Sequence, residues 1–414
     1  MEGITVKILF VSWDIPSKHT GVGIPSYYLI KYLSKKHDVF LVSFKLTRKE
    51  NRYEDLSKYC KDIIIVEHFL DDMHYLKRVI FALKNMFSPK PFVVELAYSQ
   101  KMVEKVRSAI NKINPDVIYV DSYAMLQYIP DEICCFKVLS PPDAEAEAAK
   151  NICKQERNLI KKLFFAIEYV KIKYYEIKNY KKVNLCIVKS DYDRKILKSY
   201  LTSVNIYAIP NGVDIEYFNP QVIHNTNLGA YYCNNYIIFF GDMSPTVNVQ
   251  AVLFFYKKIF PLIRKKYPTI KFYIVGRNPS PEIRNLQKDP NVVVTGAVDD
   301  IRPYVACSAV VIAPMISGGG IKNKVLQAMA MGKPVVTTSI GVRGVRAEHL
   351  KEIIIADDPE EFANYILELF RNPKLRKKIG YRARKLVEIK YTWDKIGEKF
   401  ETLLKSRINF DTRY

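Results

Sequence analysis

The stretch 313-APMISGGGIKNKVLQAMAMGKPVV-336 is the most informative part of the sequence. A buried strand is predicted to end at Ala313, and a helix is predicted from Lys322 to Met331. The three glycines between them let a ligand approach the backbone. The N–H groups and dipole of a helix start attract anions, and two lysines add full charges. The stretch therefore predicts a phosphate-binding loop, with a plain tight turn as the alternative.

Strands and helices alternate on both sides of this loop. Helices are predicted over Leu96–Ile113 and Val249–Arg264, among others. The predicted strands are Val6–Trp13, Val39–Phe44, Asp62–Glu67, Val117–Asp121, Phe136–Leu139, Val183–Val188, Tyr236–Phe240, Lys271–Val275, Val292–Thr295, Val310–Ala313, Pro334–Thr338 and Glu352–Ala356. Such alternation predicts parallel sheets with helices on both faces.

The alternation is interrupted once, near the middle of the chain. Pro210-Asn211-Gly212 is a turn signal, and the polar stretch Gln221–Asn235 is predicted to be a linker. The 414 residues therefore divide into two tandem, doubly wound Rossmann-like α/β domains. Open α/β sheets bind ligands at the carboxyl ends of their strands, so we expect the chemistry in a cleft between the domains.

Composition narrows the possible environments and partners. The seven cysteines form no C-x-x-C pair, which favours reduced, mostly buried thiols in a cytoplasmic protein. No apolar stretch approaches the ~20 residues of a membrane span. The net charge is +21, and residues 151–200 alone contain 13 basic and 5 acidic residues. No zinc knuckle, helix-turn-helix or aromatic RNA-binding motif is visible, which disfavours a nucleic-acid partner.

The densest basic stretch is 161-KKLFFAIEYVKIKYYEIKNYKK-182. Its apolar residues recur at helical spacing, at Leu163, Ile167, Val170, Tyr174 and Ile177. Such a helix could lie on an anionic membrane surface, or it could pack against the first domain.

Several motifs together resemble those of GT-B-fold, retaining glycosyltransferases of the large family 4 type. The GGGIKNKVL form is most similar to sugar transferases of bacterial exopolysaccharide systems. The motifs are IPNGVD (209–214), GDMSP (241–245), IVGR (274–277), TGAVDDIRPY (295–304), VLQAMAMGKPVV (325–336) and Tyr391-Thr392-Trp393.

This resemblance implies an enzyme of the hexosyltransferase type. It would move a sugar from a nucleotide sugar to a glycan or lipid-linked acceptor, with retention of configuration, in surface polysaccharide or glycoconjugate synthesis. It implies an acceptor-side domain over 1–208, a donor domain over 209–390 and a helix over 391–414 that crosses back to the first domain. No cofactor and no metal are expected, and the location is cytoplasmic, with a possible peripheral position on the inner face of the membrane.

The chain departs from the family pattern at the donor site. Gln327 and Gly319 stand where the family has glutamates, and Asp242 and Asn248 stand where many relatives have Arg and Lys. Glutamine can still hydrogen-bond a ribose hydroxyl through its amide, without a charge. The diphosphate must then be held otherwise, and the candidates are Lys322, Lys324 and Arg277.

The remaining candidates follow the same resemblance. In the first domain, the loop His19–Gly23 would approach the donor, Asp121 would accept a sugar hydroxyl or cap a helix, and Asp143 would face the cleft. Near the base, Val298 and Asp299 would read its edge, and Arg302 would brace that loop. The catalytic candidates are Lys324, Lys322 and Asp121, and the donor-binding candidates are Gly21, Gly23, Gly241, Arg277, Val298, Asp299, Gly318, Gly319, Gly320, Ile321, Asn323 and Gln327.

Two other functions of a GT-B chain are weighed against transfer. A nucleotide-sugar epimerase is disfavoured by the linker motif and the VLQAMA helix. A relative that binds nucleotide sugars without turnover is motivated by the missing carboxylates at 319 and 327.

Overall fold

A computed structural model describes residues 5–18, 23–46, 53–68, 75–156, 158–223 and 236–411. The chain divides into two compact units. The first unit contains the residues up to Ile209 together with those from Gly397 onward, and the second unit is Pro210–Ile396. Each unit is an α/β structure built around its own parallel sheet, so the predicted fold class is confirmed.

The first unit contains a seven-stranded sheet with the order β3-β2-β1-β4-β5-β6-β7. Five of the six residues of β1 are buried, because helices cover both faces of a parallel sheet and its strands are apolar throughout. The strands are β1 Lys7–Ser12, β2 Asp38–Lys45, β3 Asp62–Glu67, β4 Val117–Val120, β5 Phe136–Leu139, β6 Leu185–Val188 and β7 Ile206–Ala208.

Helices connect these strands. Most of the last helix of the chain also belongs to this unit: the ring of Phe400 lies 5.8 Å from that of Tyr119, and Tyr32 donates a 3.0 Å hydrogen bond to Glu401. The helices are α1 Ile24–Leu33, α2 Glu54–Ser57, α3 Tyr75–Asn85, α4 Phe92–Leu96, α5 Gln100–Ile113, α6 Glu145–Gln155, α7 Leu159–Asn179 and α8 Asp191–Lys198, with short 3₁₀ segments at Tyr123–Tyr128 and Tyr180–Lys182.

The second unit contains a six-stranded parallel sheet with the order β10-β9-β8-β11-β12-β13. The strands are β8 Tyr236–Phe240, β9 Lys271–Val275, β10 Val292–Gly296, β11 Val310–Ala313, β12 Val335–Thr337 and β13 Ile354–Ile355. The helices are α9 Thr246–Phe254, α10 Phe260–Lys266, α11 Pro281–Asn285, α12 Arg302–Cys307, α13 Asn323–Ala330, α14 Pro359–Arg371, α15 Pro373–Lys390 and α16 Trp393–Asp411, of which α16 continues into the first unit.

Two predicted helices differ from the structure. The segment Leu96–Ile113 is not one helix, because Ser99 adopts an extended conformation and its side chain accepts a hydrogen bond from the backbone of Met102. A serine in this role starts a new helix, so α4 and α5 are separate. The predicted helix Val249–Arg264 starts earlier, at Thr246, and contains a π-helical turn over Phe255–Ile259. Helices α2, α4, α6, α8, α11 and α12 were not predicted.

Both sheets reverse their strand order at one point, next to their first strand. In the second unit this point lies between β8 and β11, which pair directly. Neighbouring crossovers leave in opposite directions there, which opens a crevice at the carboxyl ends of the two strands. Gly241 follows β8 and the glycine-rich loop follows β11, so the topology brings these two segments together.

The turn after β9 supports the same edge of the sheet. Gly276 has a φ of +149°, and a Cβ atom on it would lie 1.7 Å from the carbonyl oxygen of Gly241. Gly296 has a φ of +71° but open space around it. We expect Gly276→Ala to lower the free energy of unfolding by more than about 3 kcal/mol, and Gly296→Ala by about 1 kcal/mol.

Urea unfolding followed by circular dichroism measures both variants, with each transition fitted separately because two units need not unfold together. Equal losses in the two variants would contradict the argued contact between residues 276 and 241.

Candidate active site

The glycine-rich loop of the second unit is held in shape from three sides. Gly318 has a φ of +103°, a conformation that residues with side chains rarely adopt. The hydroxyl of buried Ser317 donates to Gln250 at 3.0 Å, and Arg343 donates to the carbonyl of Gly318 at 3.5 Å. The ammonium group of Lys322 donates to the carbonyl of Gly319. The loop is therefore shaped before any ligand binds.

The helix that follows this loop is α13, and Lys322 is its N-cap residue. Lys322 makes no side-chain capping hydrogen bond to the helix start. Asn323 opens the helix, and its side-chain oxygen accepts a 2.9 Å hydrogen bond from Asn211. Asn211 belongs to the IPNGVD motif and is buried, so that motif orients the start of α13. A helix start without a side-chain cap is a suitable place for an anion.

Lys324 lies behind the loop and is only 9% exposed. Its ammonium group donates a 2.8 Å hydrogen bond to Asn248 and lies 3.7 Å from the centre of the Phe239 ring. Burial lowers the pKa of Lys324 well below its ordinary value, and the charge of Lys322 lowers it further. Neither influence comes from a carboxylate. The site therefore holds a buried amine whose charged form an incoming anion would stabilise.

Gly241 adjoins this amine. A Cβ atom at residue 241 would lie 3.6 Å from the Nζ atom of Lys324. The structure thus brings together Gly241, Gly318, Gly319, Gly320, Lys322, Asn323 and Lys324 from the predicted set.

Arg277 forms an ion pair with Asp242, the residue after Gly241. Its Nε atom donates to Asp242 at 2.8 Å. Burial raises the pKa of Asp242, but hydrogen bonds from Ser244 and Arg277 outweigh that effect and keep the pKa below its usual value. Arg277 is exposed, so its role in holding the diphosphate stays a prediction.

The remaining candidates of the second unit lie on its helices and loops. Gln327 is half-buried on α13, one turn beyond Asn323, and Ile321 packs against the core. Val298 is half-buried and Asp299 is exposed. Arg302 pairs with Asp300 at 2.7 Å and lies 4.0 Å from the centre of the Tyr217 ring, which supports its bracing role.

In the first unit, Asp121 joins three segments. Its carboxylate accepts hydrogen bonds from the backbone of Trp13 at 2.8 Å and from the hydroxyl of Ser26 at 3.2 Å. Burial raises the pKa of Asp121 to about 6. The alternative that Asp121 caps a helix is wrong, because Ser122 caps the 3₁₀ segment Tyr123–Tyr128. Contact with a sugar hydroxyl stays a prediction.

Two further predictions concern loops of the first unit. His19, Thr20, Gly21 and Val22 lie outside the described residues. Gly23 is buried and is the N-cap residue of α1. Asp143 is half-buried, and its charge raises the pKa of Glu145, after the larger effect of burial.

The structure also adds residues that sequence reasoning missed. Gln250 and Arg343 hold the glycine-rich loop, and Asn211, which the sequence marks as part of a turn and of the IPNGVD motif, binds the side chain of Asn323. The sequence does not distinguish Gln250 from other glutamines on helices. Asn211 could have been found through its position in the IPNGVD motif.

Three further properties of the described residues concern metal ligands, membrane-spanning helices and cysteines. No group of three or more His, Cys, Asp or Glu there could hold a metal ion. No helix there is long and apolar enough to cross a membrane. Five described cysteines carry free thiols, of which only Cys186 is buried, whereas Cys307 is disulfide-bonded. The expectation of reduced thiols is therefore confirmed for these five and wrong for Cys307, and the expectation that most of the thiols are buried is wrong for four of the five.

Comparison with known proteins agrees with this geometry. Residues 234–372 match the family model described as Glycosyl transferases group 1. An uncharacterized 44.6 kDa protein in the cps region of Klebsiella pneumoniae is 24% identical over 94% of this chain and 97% of its own length. A phosphatidyl-myo-inositol mannosyltransferase of Mycobacterium leprae is 25% identical over 48% of this chain and 54% of its own length.

Solved structures share the fold over nearly the whole chain. Sucrose-phosphate synthase from Thermosynechococcus elongatus is 16% identical with a TM-score of 0.72, covering 97% of this chain and 98% of that one. HepE of Anabaena, in complex with UDP and glucose, is 17% identical with a TM-score of 0.65, covering 97% and 100%.

The two Rossmann-like units match the fold of GT-B structures, and the matching family model and the named relatives are those of glycosyltransferases. The chain is such an enzyme, and its second unit carries the group 1 glycosyl transferase domain over residues 234–372.

The buried amine of Lys324 gives a testable dependence of stability on pH. The folded protein binds this proton less tightly than the unfolded chain, whose lysine pKa is about 10.4. Between the two pKa values the unfolded chain binds more protons, so the contribution of Lys324 to stability rises with pH. We expect Lys324→Met to be more stable than the natural chain at pH 7 by about 1 kcal/mol.

This advantage should shrink as the pH approaches 10. Urea unfolding of both proteins at pH 7 and pH 9.5 measures it, and a gap that is equal at the two pH values would contradict the assignment.

Proposed function

We propose that this enzyme transfers a sugar from a nucleoside diphosphate sugar to a glycan or lipid-linked acceptor with retention of anomeric configuration. We place the reaction in surface polysaccharide or glycoconjugate synthesis. The observation that carries the proposal is the buried Lys324 behind a preformed glycine-rich loop, at the reversal of strand order in the second unit.

The donor end of the proposal follows from charge. A buried amine without a carboxylate partner costs free energy when it is protonated, and an anion at 318–320 would offset that cost. Lys322 reaches the loop at Gly319, and Lys324 reaches the neighbouring Gly241, both from the start of α13, where the helix dipole also favours negative charge. A diphosphate supplies the required charge in two neighbouring groups.

In the proposed reaction, this positive charge stabilises the negative charge that develops on the leaving group. The bond between the anomeric carbon and the diphosphate oxygen breaks, and the charge that develops on that oxygen is stabilised by Lys322, Lys324 and the helix start. The acceptor oxygen forms its bond to the anomeric carbon on the same face. The departing phosphate takes the proton of the acceptor hydroxyl, so no second carboxylate of the glycosidase kind is required.

The first unit would serve the acceptor. Asp121 ties the segment after β1 to the start of α1, so we propose that it positions Gly23 at that helix start. Val298, Asp299 and Gln327 would contact the nucleoside. We also propose that the enzyme acts without a metal and on the cytoplasmic side of the membrane.

The nature of the donor can be narrowed by binding experiments. The solved structures of HepE hold UDP with glucose and UDP-glucose, which makes uridine donors the first to test. A thermal-shift screen of UDP, GDP, ADP and CMP with their sugars, in the presence of EDTA, identifies the base and tests the absence of a metal requirement. Proton NMR of the anomeric product signal then tests retention, and an inverted product would refute that part of the mechanism.

Two lysines of the second unit, buried Lys324 and half-buried Lys333, give a matched pair of variants. Lys333 donates to the carbonyl of Ser308 at 2.9 Å, and burial lowers its pKa to about 8, yet it lies outside the predicted site. A charge-assisted hydrogen bond contributes about 1.5–3 kcal/mol, so we expect Lys324→Met to weaken binding of the nucleoside diphosphate about tenfold to hundredfold. Lys333→Met should leave it unchanged.

Isothermal titration calorimetry measures both affinities and adds a second readout. In the natural protein, diphosphate binding should take up a proton, seen as a dependence of the apparent enthalpy on the buffer. Unchanged affinity in Lys324→Met would remove that residue from the donor site.

A further inference from the structure

Helix α7 of the first unit buries two glutamates and one lysine and leaves six large apolar residues exposed. The buried residues of α7 are Glu168, Lys171, Ile172 and Glu176. Large apolar side chains face outward, with Leu159 79% exposed and Val170 64% exposed. We call these outward residues the docking face: Leu159, Ile160, Leu163, Val170, Tyr174 and Ile177. Most of them repeat every three, four or seven residues, so they form one stripe.

The inward charges fix this orientation. Glu168 accepts a 2.8 Å hydrogen bond from the backbone of Phe92, and Lys171 donates to the carbonyl of Asn85 at 2.5 Å. Glu176 accepts from the hydroxyl of Tyr200 at 2.5 Å. Rotating α7 to bury its apolar stripe would leave these groups without partners, which costs more than the apolar burial would gain. The exposed stripe is therefore a fixed property of the fold.

The charges around the stripe are all of one sign. Within residues 158–182, all of which the structure describes, no exposed residue is acidic. Lys161, Lys162, Lys178 and Lys181 are exposed along the same helix and the turn after it. The outward side of α7 therefore combines apolar side chains with ammonium groups and nothing that repels an anion.

Helix α3 extends this surface. The ring of Phe92 bridges the two helices, 5.4 Å from Phe81 of α3 and 5.7 Å from Phe164 of α7. On α3 and just beyond it, Ile80 and Leu83 are exposed, and Phe87 is 93% exposed. The sequence from 75 to 94 contains no Asp or Glu. Apolar and basic residues thus continue beyond α7 on an adjacent helix.

We propose that the docking face lies on an anionic lipid surface, which goes beyond the transfer reaction itself. Apolar side chains at such a surface enter the region between headgroups and acyl chains, and lysine stems extend so that their ammonium groups reach the phosphates. A second copy of this chain would bring lysines against lysines, so charge disfavours self-association through this face. The expected mode of binding is interfacial, with the helix in the plane of the surface.

Vesicle flotation with the full-length chain tests the proposal without donor or acceptor. We expect binding to vesicles of phosphatidylcholine with 30% phosphatidylglycerol at low salt, at least tenfold weaker binding at 0.5 M NaCl, and none to phosphatidylcholine alone. Leu163→Gln combined with Val170→Gln should weaken the partition coefficient at least tenfold, and so should Lys161→Glu combined with Lys162→Glu.

Ile389→Gln is the matched control, because Ile389 of α15 is equally exposed but lies in the second unit. It should bind vesicles like the natural chain. Circular dichroism and nucleotide affinity should be unchanged in all variants, which separates loss of membrane binding from misfolding and from failure of the proposed donor site. Absence of vesicle binding, equal binding to neutral vesicles, or a dimer in sedimentation velocity that Leu163→Gln with Val170→Gln dissolves would overturn the proposal.

Discussion

A parallel sheet places the carboxyl ends of all its strands along one edge, and the candidate site in the second unit of this enzyme depends on that constraint. Where the strand order reverses, between β8 and β11, neighbouring crossover segments leave in opposite directions and cannot cover the edge. Gly241 and the glycine-rich loop emerge at that point. The carbonyl of Gly241 is in turn packed against Gly276, so the turns after β8 and β9 and the loop after β11 shape one crevice.

Lys324 shows how such a crevice is prepared for an anion. Its amine lies against the ring of Phe239 and donates a hydrogen bond to Asn248. Asn248 is neutral, whereas a carboxylate in its place would stabilise the charge of the amine in the free protein. The amide of Asn248 positions the lysine without adding a charge. A bound anion would give the buried ammonium group the charged partner that it lacks in the free protein. The lack of that partner lowers the stability of the free protein.

Helix α7 differs from an ordinary surface helix, which packs against its domain through apolar residues. Its glutamates and Lys171 make contacts inside the first unit, where low dielectric strengthens each hydrogen bond, and its aliphatic and aromatic residues remain outside. The sequence left open whether this helix packs against the first domain or lies on an anionic membrane, and its packing in the structure leaves the second a proposal. The helix packs through its polar residues and presents its apolar ones.

The sequence by itself determined the α/β class, most strand positions and the loop at 318–320. These features depend on local periodicity, on glycine and on helix-start chemistry, which neighbouring residues carry. It placed the start of α5 at Leu96 instead of Gln100, since the capping role of Ser99 depends on the backbone conformation of a single residue. It did not show that Arg277 pairs with Asp242, that Asn211 orients Asn323, or that Lys324 is buried, because these contacts join residues far apart in the chain. The direction that α7 faces was decided only by the tertiary structure, because apolar spacing defines a stripe on a helix but not which side the rest of the protein covers.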